Sequence, residues 1–287
     1  MMYVDLHTHT SLSDGVLKPM ELIARAREAG IRILALTDHN DTRDLAPYRA
    51  AFPDMTLIQG AEVTCLHRDS AGRDHEIHLV ALGFDPAHEG MQAMLRANRP
   101  DRRPYINAIL SKLGELGIDV GTYDELQAAN PDSNHFGRMQ IAEEMVKRGY
   151  VETINEAFDV YMGAHGQRLA YVKNPLTYVR LNDAIRCIRQ AQGIPVLAHL
   201  YYYLMEELDY RTLVQTVALL SGGRGGMETE YAPYTRAQRE ELRAIADEYG
   251  LMHSCASDYH GKMVGETLAH GFRVEDCRPL LQALGVV

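Results

Sequence analysis

The sequence predicts an α/β fold in which βα units build a parallel sheet or barrel, interrupted by a helical insertion. Three observations carry this. Short apolar runs at 3–6, 31–36, 55–58 and 77–82 alternate with amphipathic stretches, the rhythm of strand and crossover helix. From about 86 to 175 the periodicity is helical throughout, and after that the βα rhythm resumes. Residues 1–85 and 176–287 are therefore assigned to the barrel, and 86–175 to a helical cap inserted into it.

Taken in order, Tyr3-Val4-Asp5-Leu6 is a short strand that runs into His7. Pro19 opens a helix with Leu22, Ile23, Ala26 and Ala29 at helical spacing, and Gly30 closes it. The run 31–36 is continuously apolar, as expected of a strand buried on both faces; 55–58 and 77–82 look alike. The insertion reads as helices at 91–98, 103–117, 122–129, 136–149 and 154–161, with Pro100 and Pro104 at its entrance. Helices at 181–192, 211–221, 235–249 and 279–284 then alternate with strands at 194–198, 226–229 and 251–256. Gly222-Gly223-Arg224-Gly225-Gly226 is a turn without the Lys-Ser/Thr that follows a phosphate loop.

Composition excludes several classes. The formal net charge of −10 disfavours a sequence-independent nucleic-acid surface and a duplex partner, which would need clustered Lys and Arg. Cys65, Cys187, Cys255 and Cys277 form no CxxC pair and no zinc-knuckle spacing, so they read as reduced thiols. The N-terminus has no basic region followed by an apolar stretch, and no segment is apolar for long enough to span a membrane. The expectation is a cytoplasmic protein that takes no membrane partner; its oligomeric state is not legible.

Polar residues gather where the strands end, the place a βα barrel puts its active site. His7 and His9 follow the first strand, and the His-x-His alternation sets both imidazoles on one face of extended backbone. Asp14 lies in Ser13-Asp14-Gly15. Asp38 and His39 end the second strand, and Glu62 the third. His78 lies in the fourth, His199 follows 194–198, and Asp258 and His260 follow the last strand. A single histidine after a strand is more often a capping or core residue than a ligand. Six junctions that each carry His, Asp or Glu are hard to reach by accident. Setting Asp38 aside, nine candidate ligands remain, and imidazole mixed with carboxylate suits manganese, zinc or iron. Nine suffice for two or three divalent ions if one carboxylate bridges.

These residues resemble the PHP superfamily, named for polymerase and histidinol phosphatase domains. The matching motifs are Asp5-Leu6-His7-Thr8-His9 with Ser13-Asp14-Gly15, Leu36-Thr37-Asp38-His39, Gly60-Ala61-Glu62-Val63, Glu76-Ile77-His78, Ala198-His199 and Ser257-Asp258-Tyr259-His260. The resemblance implies a distorted (β/α)7 barrel with metals at its mouth. It implies a first ion on His7, His9, Glu62 and Asp258, and a second on Asp14, His39 and His260. His78 and His199 would complete a third, with Glu62 bridging. One departure is visible: many relatives continue Ala-His-Pro-Gly, whereas this chain has Ala198-His199-Leu200-Tyr201-Tyr202-Tyr203.

The activity so implied is metal-dependent hydrolysis of a small phosphorylated substrate, a nucleotide or sugar phosphate. Chains with a helical insertion at this point resemble nucleoside 3′,5′-bisphosphate phosphatases, so loss of the 3′-phosphate from such a bisphosphate is the leading expectation. A cyclic phosphodiesterase acting on phosphoribosyl 1,2-cyclic phosphate, an exonuclease on short oligonucleotides, and a non-catalytic metal-stabilised regulatory module are the alternatives. Asp258 and His260 are the expected catalytic pair, orienting the nucleophile or protonating the leaving group, and Asp38 is expected to fix a ligand imidazole. Arg138, at a helix start in Asn134-His135-Phe136-Gly137-Arg138, is the first candidate for a substrate phosphate. Arg168, Lys173 and His135 follow it, although a solvated surface charge is the ordinary role of such residues.

Overall fold

The computed structural model describes residues 2–99, 101–129, 137–163, 166–173, 177–203, 205–262, 266–268 and 270–287. Eight strands form one sheet: β1 (Tyr3–Asp5), β2 (Ile31–Leu36), β3 (Thr56–Arg68), β4 (Asp74–Leu82), β5 (Val179–Arg180), β6 (Ile194–Leu197), β7 (Gly226–Tyr231) and β8 (Met252–Ala256). The order is β1-β2-β3-β4-β6-β7-β8, with the short β5 set against β3. All residues of β6 and β7 are buried, which explains their lack of polar alternation in burial: helices cover one face and the sheet's own interior the other.

The sheet curls until its outer strands meet. The Leu6 amide donates to the Cys255 carbonyl, the Asp258 amide to His7 and the His9 amide to Tyr259, each at 2.9 Å. These are single bonds and not a continuous ladder, so the barrel is distorted and unclosed.

One feature departs from the βα pattern. The apolar run at 55–58 is only the beginning of β3, which continues to Arg68 and folds back antiparallel onto β4, in register from Gly60–Leu82 to Arg68–Asp74. β4 in turn pairs antiparallel with β6, while β1–β2, β2–β3, β6–β7 and β7–β8 are parallel. A tight turn replaces the crossover helix between β3 and β4. The Asp69 carboxylate closes it, accepting from the Arg73 amide at 2.8 Å and the Arg73 Nε at 2.7 Å.

Local chemistry sets the helices. Pro19 begins helix Pro19–Glu28, which buries Leu22, Ile23 and Ala26 against the sheet, and Gly30 takes the positive φ that ends it. Within the insertion, helices Arg103–Glu115, Tyr123–Ala128 and Arg138–Lys147 and the π-helical turn Ala157–Met162 share a hydrophobic core drawn wholly from 105–170, including Tyr105, Ile109, Leu113, Ile141 and Met145. Helix Glu89–Ala97, expected in the insertion, instead sends Met91 and Leu95 into the barrel core. The cap's separate packing therefore begins later than residue 86. Lys262, just past β8, links the barrel to the cap: its side chain is 5% exposed and meets Glu143 of the cap at 2.7 Å.

Because the cap has its own core, Ile109→Ala should cost about 2–5 kcal/mol locally. Hydrogen exchange should accelerate across 103–147 and change little in β2. Equal acceleration in both would contradict separate cores.

Candidate metal centre

Strand ends bring the nine residues together. β1 delivers His7 and His9; their Nε2 atoms lie 3.0 Å apart. The loop that follows folds back so tightly that a Cβ on Gly15 would sit 2.5 Å from the His9 carbonyl oxygen, and this approach holds Asp14 beside His9. Asp14 Oδ1 is 3.6 Å from His9 Nδ1 and 3.3 Å from His260 Nε2; Oδ2 is 3.5 Å from His39 Nε2. On β3, the Glu62 carboxylate is 1% exposed. One oxygen lies 3.4, 3.3 and 2.8 Å from His7, His9 and His39, and the other 2.7 and 3.1 Å from His78 and His199. Asp258 Oδ1 stands 3.4 Å from His7 Nε2 and 3.1 Å from His9 Nε2.

Three residues at these strand ends adopt positive φ without being glycine: Asn40 at 50°, His199 at 22° and Asp258 at 56°. Such backbone costs on the order of 1–3 kcal/mol each and persists only where neighbours over-determine it. They do here. The Asn40 amide donates to the Glu62 carbonyl at 2.8 Å and the Asp258 amide to His7 at 2.9 Å. The His199 amide donates to the Glu228 carboxylate at 2.8 Å.

Burial opposes ionisation of His7, Asp14, His39, Glu62, His78, Asp258 and His260, and in each the neighbours of opposite sign outweigh it. His260 and His39 hold Asp14 well below the usual carboxyl range, and His39, His78 and His7 do the same for Glu62. Asp258 is lowered by His7, His9 and His260. In return Asp258, Glu228 and Glu62 raise His7. Glu62 and Asp14 push His39 up to about 9, Glu62 and Glu76 push His78 up to about 10, and Asp14 and Asp258 push His260 up to about 10. A site this rich in buried anions calls for positive charge beside them.

The residues fit divalent metal. Among the described residues, Asp14 Oδ1, Glu62 Oε2 and Asp258 Oδ1 are buried oxygens with no hydrogen-bond partner, one on each carboxylate, all turned toward imidazole nitrogens. Three subsets have ligand atoms within 4.8 Å of one another: His9, Asp14, His39 and His260; His7, His9 and Asp258; and His39, Glu62 and His78. His199 falls outside these sets but reaches Glu62.

Two residues that sequence reasoning passed over orient this cluster. Glu228 on β7, 1% exposed, accepts from His7 Nδ1 at 2.7 Å with one oxygen while the other takes the His199 amide. Tyr231 donates its hydroxyl to Asp258 Oδ2 at 2.8 Å, which leaves Oδ1 facing the histidines. The Asp38 side chain meets the cluster through Ser13, whose hydroxyl lies 3.5 Å from His9 Nδ1. Its carboxylate accepts from the Thr10 amide and hydroxyl and, at 2.6 Å, from the Ser13 hydroxyl. It anchors the loop carrying Asp14, and meets hydroxyls and an amide there, not an imidazole.

Beside the cluster a cavity of about 240 Å³ runs under the cap. Asp14, His39, Glu76 and His78 line it together with Arg102, Arg138, Gln140 and Phe158. Arg138 thus reaches the site, and Arg102, which reads in sequence as one more solvated charge in Asp101-Arg102-Arg103, joins it. Arg168 and Lys173 do not line the cavity: both are exposed, and the Arg168 guanidinium lies over the Tyr171 ring at 4.2 Å. His135 lies outside the described residues. No helix among the described residues is long and apolar enough to cross a membrane.

Known proteins resemble this chain over most of its length. A model of the PHP domain matches residues 5–267. The chain is 34% identical over 258 residues to a 5′-3′ exoribonuclease of Haemophilus influenzae, covering 89% of each. It is 32% identical to a 3′,5′-nucleoside bisphosphate phosphatase of Chromobacterium violaceum, covering 99% of this chain and 97% of the relative. A solved amidohydrolase structure from Chromobacterium violaceum, with bound sulfate and no metal, superposes with a TM-score of 0.83 at 30% identity, covering 98% and 95%.

Two outcomes follow for metal binding. Imidazoles raised to about 9–10 are protonated at neutral pH and must lose those protons to bind an ion. Affinity should therefore rise with pH from 7 toward 10, and calorimetry in buffers of different ionisation heat should show protons released; pH-independent binding would contradict the charge balance. Tyr231→Phe or Glu228→Gln should weaken metal binding about 10- to 100-fold with the folded far-UV spectrum retained.

Proposed function

The chain belongs to the PHP family and is a metal-dependent phosphoesterase, and from that premise we propose that it removes the 3′-phosphate from nucleoside 3′,5′-bisphosphates. The observation that carries this reading is the shared cavity, which cluster residues and two arginines line together. A bisphosphate has two anionic ends. The scissile one would meet the cluster, and the 5′-phosphate would meet Arg102 and Arg138, whose planar forks suit phosphate oxygens. A volume of about 240 Å³ is close to the lower limit of small-molecule pockets, ~300 Å³, which suits a single nucleotide. The bisphosphate phosphatase that matches nearly end to end supports the same choice.

We assign two or three divalent ions, of the manganese, zinc or iron kind, to His7, His9, Asp14, His39, Glu62, His78, His199, Asp258 and His260. When bound, such ions supply Lewis-acid charge to phosphoryl oxygens and make a nucleophile available from water near neutral pH. The chain's own residues do the rest. Glu228 and Tyr231 hold His7 and Asp258 in one orientation each. His260 is pinned through Nδ1 on the Asp258 carbonyl at 2.8 Å, so its Nε2 faces Asp14. Asp258 and His260, expected as the catalytic pair, are read here first as orienting groups at the reacting phosphate, since each already has one polar atom engaged. The cap side of the cavity presents the arginines. A second reading, removal of nucleotides from the 5′ end of short RNA, needs the same chemistry and draws on the Haemophilus influenzae relative.

With manganese supplied, a panel of nucleoside 3′,5′-bisphosphate, nucleoside 3′-phosphate, phosphoribosyl 1,2-cyclic phosphate and a 5′-phosphorylated diribonucleotide should give the highest kcat/KM for the bisphosphate. Arg138→Ala or Arg102→Ala should lower that value about 10- to 100-fold and erase the preference over the 3′-monophosphate. Asp258→Ala should abolish turnover in a soluble, folded protein. No hydrolysis of any ester by the loaded enzyme would defeat the reading.

A further inference from the structure

β6 ends at Leu197, and after His199 the chain enters the short helical turn Leu200–Tyr203. Three consecutive tyrosines occupy this turn, and the fold sends them in different directions. Tyr203 points inward: its hydroxyl donates to the Ala198 carbonyl at 2.8 Å and accepts from the His78 amide at 3.0 Å. Tyr201 packs its ring against Tyr210 and Tyr234. Tyr202 faces out and is 56% exposed.

Exposure alone would make Tyr202 an ordinary surface residue. Its backing does not. The ring centroid is 5.6 Å from His199, 5.7 Å from Tyr231 in an edge-on arrangement, and 6.2 Å from Tyr234. Tyr231 is itself fixed on Asp258. Rigid rings thus brace Tyr202 from behind, at the rim of the cluster, with the remaining surface open to solvent. An aromatic group held this way binds a flat partner with little loss of its own conformational freedom. Neither His199 nor Tyr202 lines the cavity that holds Arg102 and Arg138, so Tyr202 lies on the His199 side of the cluster, apart from the arginines.

We propose that Tyr202 is the stacking platform for the nucleobase that follows the scissile phosphate when the substrate is a short single-stranded ribonucleotide chain, and so sets the preference for such a chain over a mononucleotide. The inference rests on the preceding reading in one respect: the first nucleotide has its 5′-phosphate at the arginines and its 3′-phosphate at the cluster. When that 3′-phosphate is a diester, its second nucleoside must leave the cluster away from the cap, and Tyr202 is the flat surface waiting there. Water adds its hydroxyl to phosphorus, the P–O3′ bond breaks, the proton passes to O3′, and the shortened strand keeps a 5′-phosphate. Every base has a π-face, so the platform does not discriminate sequence. A chain of net charge −10 offers no electrostatic track for a long strand, so a dinucleotide should bind as well as a decamer.

The chain contains no tryptophan, which makes Tyr202→Trp a single-tryptophan reporter. A 5′-phosphorylated, phosphorothioate-linked diribonucleotide should quench its emission, and a nucleoside 3′,5′-bisphosphate should quench it far less. In Tyr202→Leu the ratio of kcat/KM for the 5′-phosphorylated diribonucleotide to that for the bisphosphate should fall roughly 10- to 100-fold, the effect of losing one base stack; Tyr202→Trp should preserve it. An unchanged ratio in Tyr202→Leu, or equal quenching by both ligands, overturns the platform. If the wild-type enzyme hydrolyses the bisphosphate and no dinucleotide, the platform falls and the bisphosphate reading stands. Hydrolysis of neither removes both.

Discussion

One buried carboxylate organises this molecule. Glu62 sits in the middle of β3 at 1% exposure, with imidazoles of His7, His9, His39, His78 and His199 all within 3.4 Å of its oxygens. An anion so far from water is tolerable only with counter-charge on every side. Those five histidines come from the ends of β1, β2 and β6 and from within β4, so the sheet has to curl around β3 to deliver them. The reversed strand then has a physical purpose. In the antiparallel register Val80 lies opposite Glu62 and His78 opposite Thr64, which makes His78 the diagonal neighbour of Glu62 on the same face.

The same constraint explains why backbone strain collects at the strand ends. Asn40, His199 and Asp258 each turn the chain abruptly, and each is adjacent to, or itself, a group that must face inward. A gentler turn would carry the side chain past the cluster. The hydrogen bonds that hold these turns come from Glu62, Glu228 and His7, so the strained residues and the charged ones stabilise one another.

Legibility in the sequence followed the range of the information. His7-x-His9 and Asp258-x-His260 announce themselves because two neighbours on extended backbone share a face, and that spacing survives any fold. Most helices and strands were readable for the same local reason. The direction of β4 was not: periodicity reports which residues face the core, and it is silent about which way a strand runs. Glu228 hid within Met227-Glu228-Thr229-Glu230, an alternation that reads like a solvated edge until both faces of β7 are seen to be covered. Arg102 hid within a charged triplet. Arg168 and Lys173 stand behind Arg138 as phosphate candidates in one dimension, and the packing of the cap brings Arg138 to the cavity and leaves the other two exposed.

The cap's own apolar cluster, distinct from those of the barrel and linked to it by the Lys262–Glu143 pair, gives the chain a division of labour. The cap's buried apolar residues pack within 105–170, whereas the clustered histidines and carboxylates are all contributed by the barrel. Descendants of such a design can alter what they recognise by editing one contiguous insert, leaving the bond-breaking apparatus undisturbed. Diversification on this architecture is accordingly expected to be written in the cap first.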